Sequence, residues 1–248
     1  MTPGVREYLL AFADDEHLMG QQHTEWIGVA PFLEEDLAFS SIGQDELGHA
    51  VMLYELVLEL DGVEATDAAV DALAYERSGE EYRSSHLAEY ATRDWAEALV
   101  RHWIYDAFEH LRWQAVEESA LAQLAQIAAR AEREETFHRR HADALLDSLL
   151  HDRDAHHRMM HALRDLMPLV PDLLDAPAGE EEALAQGVVT RTMADLADDL
   201  TAAIAERFDA ELDTVEPSTH DRLERSDDFA PLMARMREVF DLDPAAIW

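Results

Sequence analysis

Two Glu-x-x-His pairs, Glu46/His49 and Glu135/His138, occur in this chain, and no others. Each interrupts a helical stripe that is otherwise apolar. The first stripe reads Phe39, Ile42, Gly43, Glu46, His49, Ala50 and Leu53, and the second Leu124, Ala128, Ala131, Glu135, His138, Ala142, Leu145 and Leu149. Positions three apart on a helix share a face, so both side chains of a pair can reach one ion. An ionised carboxylate on a core-facing stripe costs several kcal/mol unless it is paired or metal-bound. The chain must therefore bring two long helices together so that their buried acids are compensated. A pair of divalent cations does this.

Helical patterning extends over nearly the whole chain. The nine glycines and eight prolines cluster at a few breaks, and strand-like alternation is hard to find. Long helices are expected over about Val5–Val29, Leu33–Leu60, Asp94–Glu118 and Leu121–Leu150. A weaker helix is expected within Asp67–Arg83, and further helices near Asp154–Leu174, Glu182–Ala210 and Asp228–Phe240, with loops at DAPAGEEE and TVEPSTHD. Ala30-Pro31 ends the first long helix, because proline restricts the residue before it and cannot continue the ladder. Asp61-Gly62 ends the second. No segment has the length or composition of an interdomain linker, and no short fixed repeat points to a solenoid. Residues 1–248 are expected to form a single domain. Its metal-binding four-helix core spans 1–150, and a C-terminal helical extension over 151–248 packs on that core.

The acids opposite the two pairs follow from hairpin geometry. Glu16 lies about as far before the Pro31 turn as Glu46 lies after it, among Leu9, Phe12, Ala13, Met19 and Gly20. At about 1.5 Å rise per residue the two sit at one height. Asp106 stands in the same relation to Glu135 around a turn near Ser119-Ala120, with Glu109 and His110 as alternatives on that stretch. Four carboxylates and two histidines are the ligand set of ferritin-like di-iron carboxylate proteins. The predicted fold is thus all-α, a ferritin-like antiparallel four-helix bundle with additional C-terminal helices. The predicted metal ligands are Glu16, Glu46, His49, Asp106, Glu135 and His138, holding two iron ions or manganese, which takes similar ligands. Asp45 and Glu134 precede His49 and His138 by four, where each can accept the far imidazole N–H or simply face solvent. His17, His23, His102 and His141 lie near ligands in sequence and are read as neighbours of the site or surface residues.

Composition narrows the function. With no cysteine there are no disulfides, thiolate metal sites or cysteine nucleophiles. The 54 acids against 19 basic residues, all arginine, give a formal charge of −35. A field of that sign repels nucleic acid and anionic membranes, so neither is an expected partner. It also fits a salt-rich cytoplasm, where counterions screen self-repulsion. No apolar run of about 18 residues is present. The N-terminal MTPGVREYLL has no basic region or cleavage pattern, so a cytoplasmic protein is expected.

At these residues the chain resembles a known family. QDELGHAVMLYE and EETFHRRH resemble the metal-binding helices of the catalytic subunit in the phenylacetyl-CoA epoxidase family, and WIYDAF falls where that subunit places its aspartate ligand. The resemblance implies the same six ligands. FADDEHLMGQQHTEWIGVAPFLEEDLAFSSIGQDELGH, the chain length and the closing MREVFDLDPAAIW are more similar to the structural sister subunit. That subunit typically lacks the Glu-x-x-His of the second helix, which this chain keeps.

The resemblance implies an oxygenase that activates O2 at two ferrous ions and oxygenates a small-molecule substrate, an aromatic acyl-CoA. With no lysine present, arginines would hold the CoA phosphates. No flavin or nucleotide motif and no cysteine are available, so electrons must come from a separate reductase. A homo-oligomer, or a hetero-oligomer with a related subunit, is expected. Two other readings stand beside this one: a non-catalytic scaffold subunit of such a complex, and a ferritin-like protein that handles iron or peroxide.

Overall fold

The computed structural model describes residues 2–219 and 222–243. His220 and Asp221 of the expected TVEPSTHD loop, and the last five residues of MREVFDLDPAAIW, lie outside them. All regular structure among the described residues is helical: α1 Pro3–Thr24, α2 Leu33–Leu60, α3 Asp67–Asp71, α4 His86–Glu89, α5 Trp95–Val116, α6 Ala122–Leu150, α7 Arg153–Leu166, α8 Val170–Leu173, α9 Glu180–Ala185, α10 Met193–Phe208 and α11 Phe229–Met236, with short 3-10 and π turns between some of them. No described helix is long and apolar enough to cross a membrane.

Helices α1, α2, α5 and α6 form the four-helix bundle. The hairpin α1–α2 packs against the hairpin α5–α6 through α2 and α6. The fourth side closes where Phe12 of α1 meets Trp113 of α5, ring centroids 4.2 Å apart. Local chemistry sets the ends. Pro3 opens α1, where its missing N–H is no loss. Glu34, Glu35 and Asp36 occupy the first turn of α2 and favour its positive end. Asp36 also accepts from Gly28 N at 3.0 Å and Ala30 N at 3.2 Å, fastening the turn. Asp94 caps α5 by accepting from Glu97 N at 3.0 Å.

Several expected helices are shorter. The first ends at Thr24 rather than Val29, and residues 25–30 form successive turns. The 154–174 helix breaks at Pro168 and Pro171, which cannot donate to the ladder, into α7, a 3-10 turn and α8. The expected 182–210 helix is two. Gly187 adopts φ +67°, and Thr192 starts α10 with a capping box to Asp195. The 67–83 segment is helical only to Glu76 before a short turn at Gly79–Glu81, and the helix expected to reach Phe240 ends at Met236.

Among the C-terminal helices, α7 and α10 lie against α5, and α9 against α1. Two glycines set the α1–α2 approach. A Cβ on Gly43 would lie 2.9 Å from Gly20 O, and one on Gly20 would lie 2.8 Å from Leu47 Cγ. Gly43→Ala should therefore destabilise by about 1–3 kcal/mol even though alanine is the better helix former. A thermal melt by circular dichroism checks this, and an unchanged or raised midpoint refutes it.

Candidate metal centre

All six sequence-derived residues converge. Glu16, Glu46, His49, Asp106, Glu135 and His138 have no solvent exposure, and neither has Glu109. Three groups place their ligand atoms within 4.8 Å of one another: Glu16, His49 and Glu109; Glu46, Asp106 and His138; and Asp106, Glu109 and Glu135. Asp106 and Glu109, three apart on one face of α5, link the first two groups. Asp106 and its alternative Glu109 both lie in the cluster. His110 turns away, with Nδ1 2.9 Å from Glu132 Oε1.

Each Glu-x-x-His pair is expected to reach one ion, and the clustered groups divide its members. Glu46 and His49 fall in different groups, and so do Glu135 and His138. Three residues advance about 4.5 Å along a helix, close to the about 3.5–4 Å between ions of a two-metal site. Each pair can therefore span two positions.

The outer imidazole partners are also exchanged relative to expectation. His49 Nε2 lies 2.8 Å from Glu134 Oε2, and His138 Nε2 lies 3.3 Å from Asp45 Oδ2. The residue before each ligand glutamate sits about 100° further round its helix. That turns it toward the neighbouring helix rather than up its own. Inward, His49 Nδ1 is 3.2 Å from Glu16 Oε2 and His138 Nδ1 is 3.2 Å from Glu135 Oε1.

Arg112 and Asp15, which the spacing does not single out, also reach the cluster. Arg112 donates to Asp15 Oδ2 and Glu16 Oε1, each at 2.9 Å, and to Tyr105 Oη at 3.0 Å. Its guanidinium lies 3.8 Å from the Phe12 ring centre. Asp15 also pairs with Arg222. The signal was present as a polar stripe, Asp106, Glu109 and Arg112, at three-residue steps down an apolar helix.

The remaining charge is unbalanced. Arg112 and Arg222 answer Asp15 and Glu16, and Arg77 answers Asp14. Glu46, Asp106, Glu109 and Glu135 make no ion pair to an arginine among the described residues. Glu46 Oε1, Asp106 Oδ2, Glu109 Oε2 and Glu135 Oε2 are buried without a hydrogen-bond partner. Such groups are costly alone. Four carboxylates and two imidazoles could hold two divalent ions at charge neutrality, and the hard oxygen-rich set suits iron or manganese.

Protonation follows from the same crowding. Burial pushes Glu16 up to about 7, with Glu135 and Asp15 adding to the shift while Glu109 and Arg112 oppose it. Burial, then the Glu109 and Asp106 charges, pushes Glu135 up to about 8 against the pull of His138. Burial and neighbouring carboxylates hold Glu46 and Glu109 well above the usual range. An acid whose folded pKa is raised contributes stability that is lost as pH rises through that value. In metal-free protein these acids should therefore withdraw stability between about pH 5 and 8, by about 1.4 kcal/mol for each tenfold difference in proton affinity between folded and unfolded chain, while buried His17 and His23, held below the usual imidazole range, act in the opposite direction below about pH 6.5. Glu135→Gln should flatten that slope in urea unfolding at fixed salt. An unchanged slope would count against a protonated Glu135.

The family described as "Phenylacetic acid catabolic protein" matches residues 2–248. The C subunit of 1,2-phenylacetyl-CoA epoxidase from Escherichia coli (strain K12) is 31% identical over 170 residues, 68% of this chain and 67% of that protein. Near-complete coverage by the family, together with that relative, shows that this chain belongs to the phenylacetic acid catabolic protein family.

Proposed function

We propose that this chain is a metal-binding, oxygen-activating subunit of an epoxidase-type complex acting on an aromatic acyl-CoA. Two iron ions, or manganese in their place, would be held by Glu16, Glu46, His49, Asp106, Glu109, Glu135 and His138. The observation that carries the reading is the set of four buried carboxylates, Glu46, Asp106, Glu109 and Glu135, that make no ion pair to an arginine among the described residues. The chemistry supplied by the bound ions is reductive activation of O2. The chain's own residues do the rest. Glu134 and Asp45 fix the ligand imidazoles from outside, which raises ligand basicity. Arg112 and Tyr105 fix Glu16 Oε1. Phe12 and Trp113 keep that end of the site dry. The carboxyls give up their protons as the ions bind.

The acyl-CoA substrate and a related partner subunit rest on what the Escherichia coli relative is named, and the separate reductase rests on a sequence with no flavin or nucleotide motif and no cysteine. We read residues 1–248 as one folding unit, supported by Arg222 reaching Asp15 across the core. The charge of −35 fits a salt-rich cytoplasm.

A scaffold role is the second reading. It is favoured by the likeness of the N-terminal region to the structural sister subunit and by the Arg112 hold on Glu16, which occupies one oxygen of a would-be ligand. Elemental analysis after anaerobic loading with ferrous iron in high salt separates the two. Two irons per chain supports the oxygenase. No metal in a protein folded by circular dichroism supports the scaffold.

A further inference from the structure

Every residue that would hold an ion is sealed from solvent, so ions need a way in. A column of polar side chains leads outward from the site toward the α1–α2 turn. Glu35, in the first turn of α2, and His141 of α6 retain side-chain exposures of 11% and 15%, and they meet at 2.9 Å. The His102 ring lies 6.0 Å from the His141 ring, and the His23 ring 4.9 Å from that of His102. At the inner end, His102 Nδ1 is 3.0 Å from Asp106 Oδ1, and His23 Nδ1 is 3.0 Å from Glu46 Oε2. Phe39 lines the column, 5.1 Å from His23 and 5.2 Å from His102.

The column is under-satisfied. His141 Nδ1, His102 Nε2 and His23 Nε2 are buried without hydrogen-bond partners. A purely structural histidine cluster in a core would satisfy these nitrogens. None of Glu35, His141, His102 and His23 joins a three-ligand group among the described residues. One or two donors at a time, at successive steps, hold an ion weakly and let it pass inward to the carboxylates. The other approach, past Asp45 and Glu134, meets the backs of the ligand imidazoles, whose outer nitrogens are already engaged.

We infer that Glu35, His141, His102 and His23 form a loading route for divalent metal ions, with Glu35 and His141 as its outer binding step and Asp106 and Glu46 as its destination. This rests on the reading that the buried cluster binds two ions.

The test is stopped-flow loading of chelator-stripped full-length protein with Co2+ alone, followed by its visible absorption, with the endpoint measured by elemental analysis. Glu35→Gln/His141→Gln should load about tenfold more slowly, the scale of a lost charged mouth, and still reach the wild-type endpoint. Glu35→Gln alone keeps the His141 packing and should show a smaller slowing in the same direction. An unchanged rate overturns the route. So does a reduced endpoint at an unchanged rate, which would make these residues static ligands. Slowing confined to Asp45→Asn/Glu134→Gln also overturns it and places the route on the α2–α6 face. If wild-type protein takes up no Co2+ at all, the metal-centre reading itself has failed, an outcome distinct from the others.

Discussion

Replacing Arg112 with methionine should lower the thermal midpoint by about 10 °C, the consequence of losing about 3–5 kcal/mol when one partner of a buried ion pair is removed. Arg112 is 1% exposed and answers two carboxylates. Asp15 retains Arg222 after the substitution. Glu16 does not retain a cation, and it sits beside Glu109 and Glu135, where a further uncompensated negative charge is least tolerated. Methionine keeps much of the apolar contact with Phe12 and Phe108 that the arginine stem makes. The loss then reports the charge and not a cavity. Two controls make the origin explicit. Arg112→Met/Glu16→Gln removes both partners and should recover most of the loss, because a buried pair exchanged for neutral groups is often near neutral. Molar salt should leave the defect in place, since buried pairs are screened far less than surface ones. An Arg112→Met protein that melts with the wild type, or a double variant as weak as the sum of its parts, would remove Arg112 from this account. Binding of divalent ions should narrow the gap by supplying Glu16 with a replacement cation.

Much of the fold is legible in the sequence. Long periodic stripes dominate the bundle helices, so α2 and α6 have the boundaries expected within one residue, Leu33–Leu60 and Ala122–Leu150. Hairpin symmetry with a fixed rise per residue points to Glu16 and Asp106, and the structure brings Asp106 together with Glu135 and Glu16 together with His49. What escaped was decided laterally, between helices. The partner of each outer imidazole nitrogen depends on how α2 and α6 lie side by side, and spacing along one helix does not contain that information. The splitting of each Glu-x-x-His pair between two groups has the same origin. Arg112 and Asp15 escaped because an arginine beside buried acids reads as an ordinary surface pair until its 1% exposure is known. In the C-terminal region, Thr192-x-x-Asp195 was a readable capping box, hidden inside an alanine-rich stretch whose helical propensity pointed to one continuous helix.

The split of each pair gives the metal-binding prediction its shape. If Glu16, His49 and Glu109 serve one ion and Glu46, Asp106 and His138 the other, ligand losses should not be equivalent. His49→Ala should leave close to one ion per chain, because the second group is intact. Glu46→Ala/His49→Ala removes a ligand from both groups and should leave none. Glu109→Gln and Asp106→Asn each touch a group of their own and the shared one with Glu135. Either should weaken both ions by more than the about 10–100-fold attached to an outer imidazole partner. His110→Ala should change nothing in metal content, since His110 faces Glu132. Titration with Co2+ and elemental analysis after gel filtration read all five variants on one scale. The stepwise pattern of one, none and two is what a pair of ions held across four helices requires. Equal loss in His49→Ala and the double variant would mean a single cooperative site. Wild-type retention in Glu46→Ala/His49→Ala would mean that the buried acids are neutralised by protons and not by metal. In that case the scaffold reading, with Arg112 holding Glu16 as a structural ion pair, becomes the account that fits.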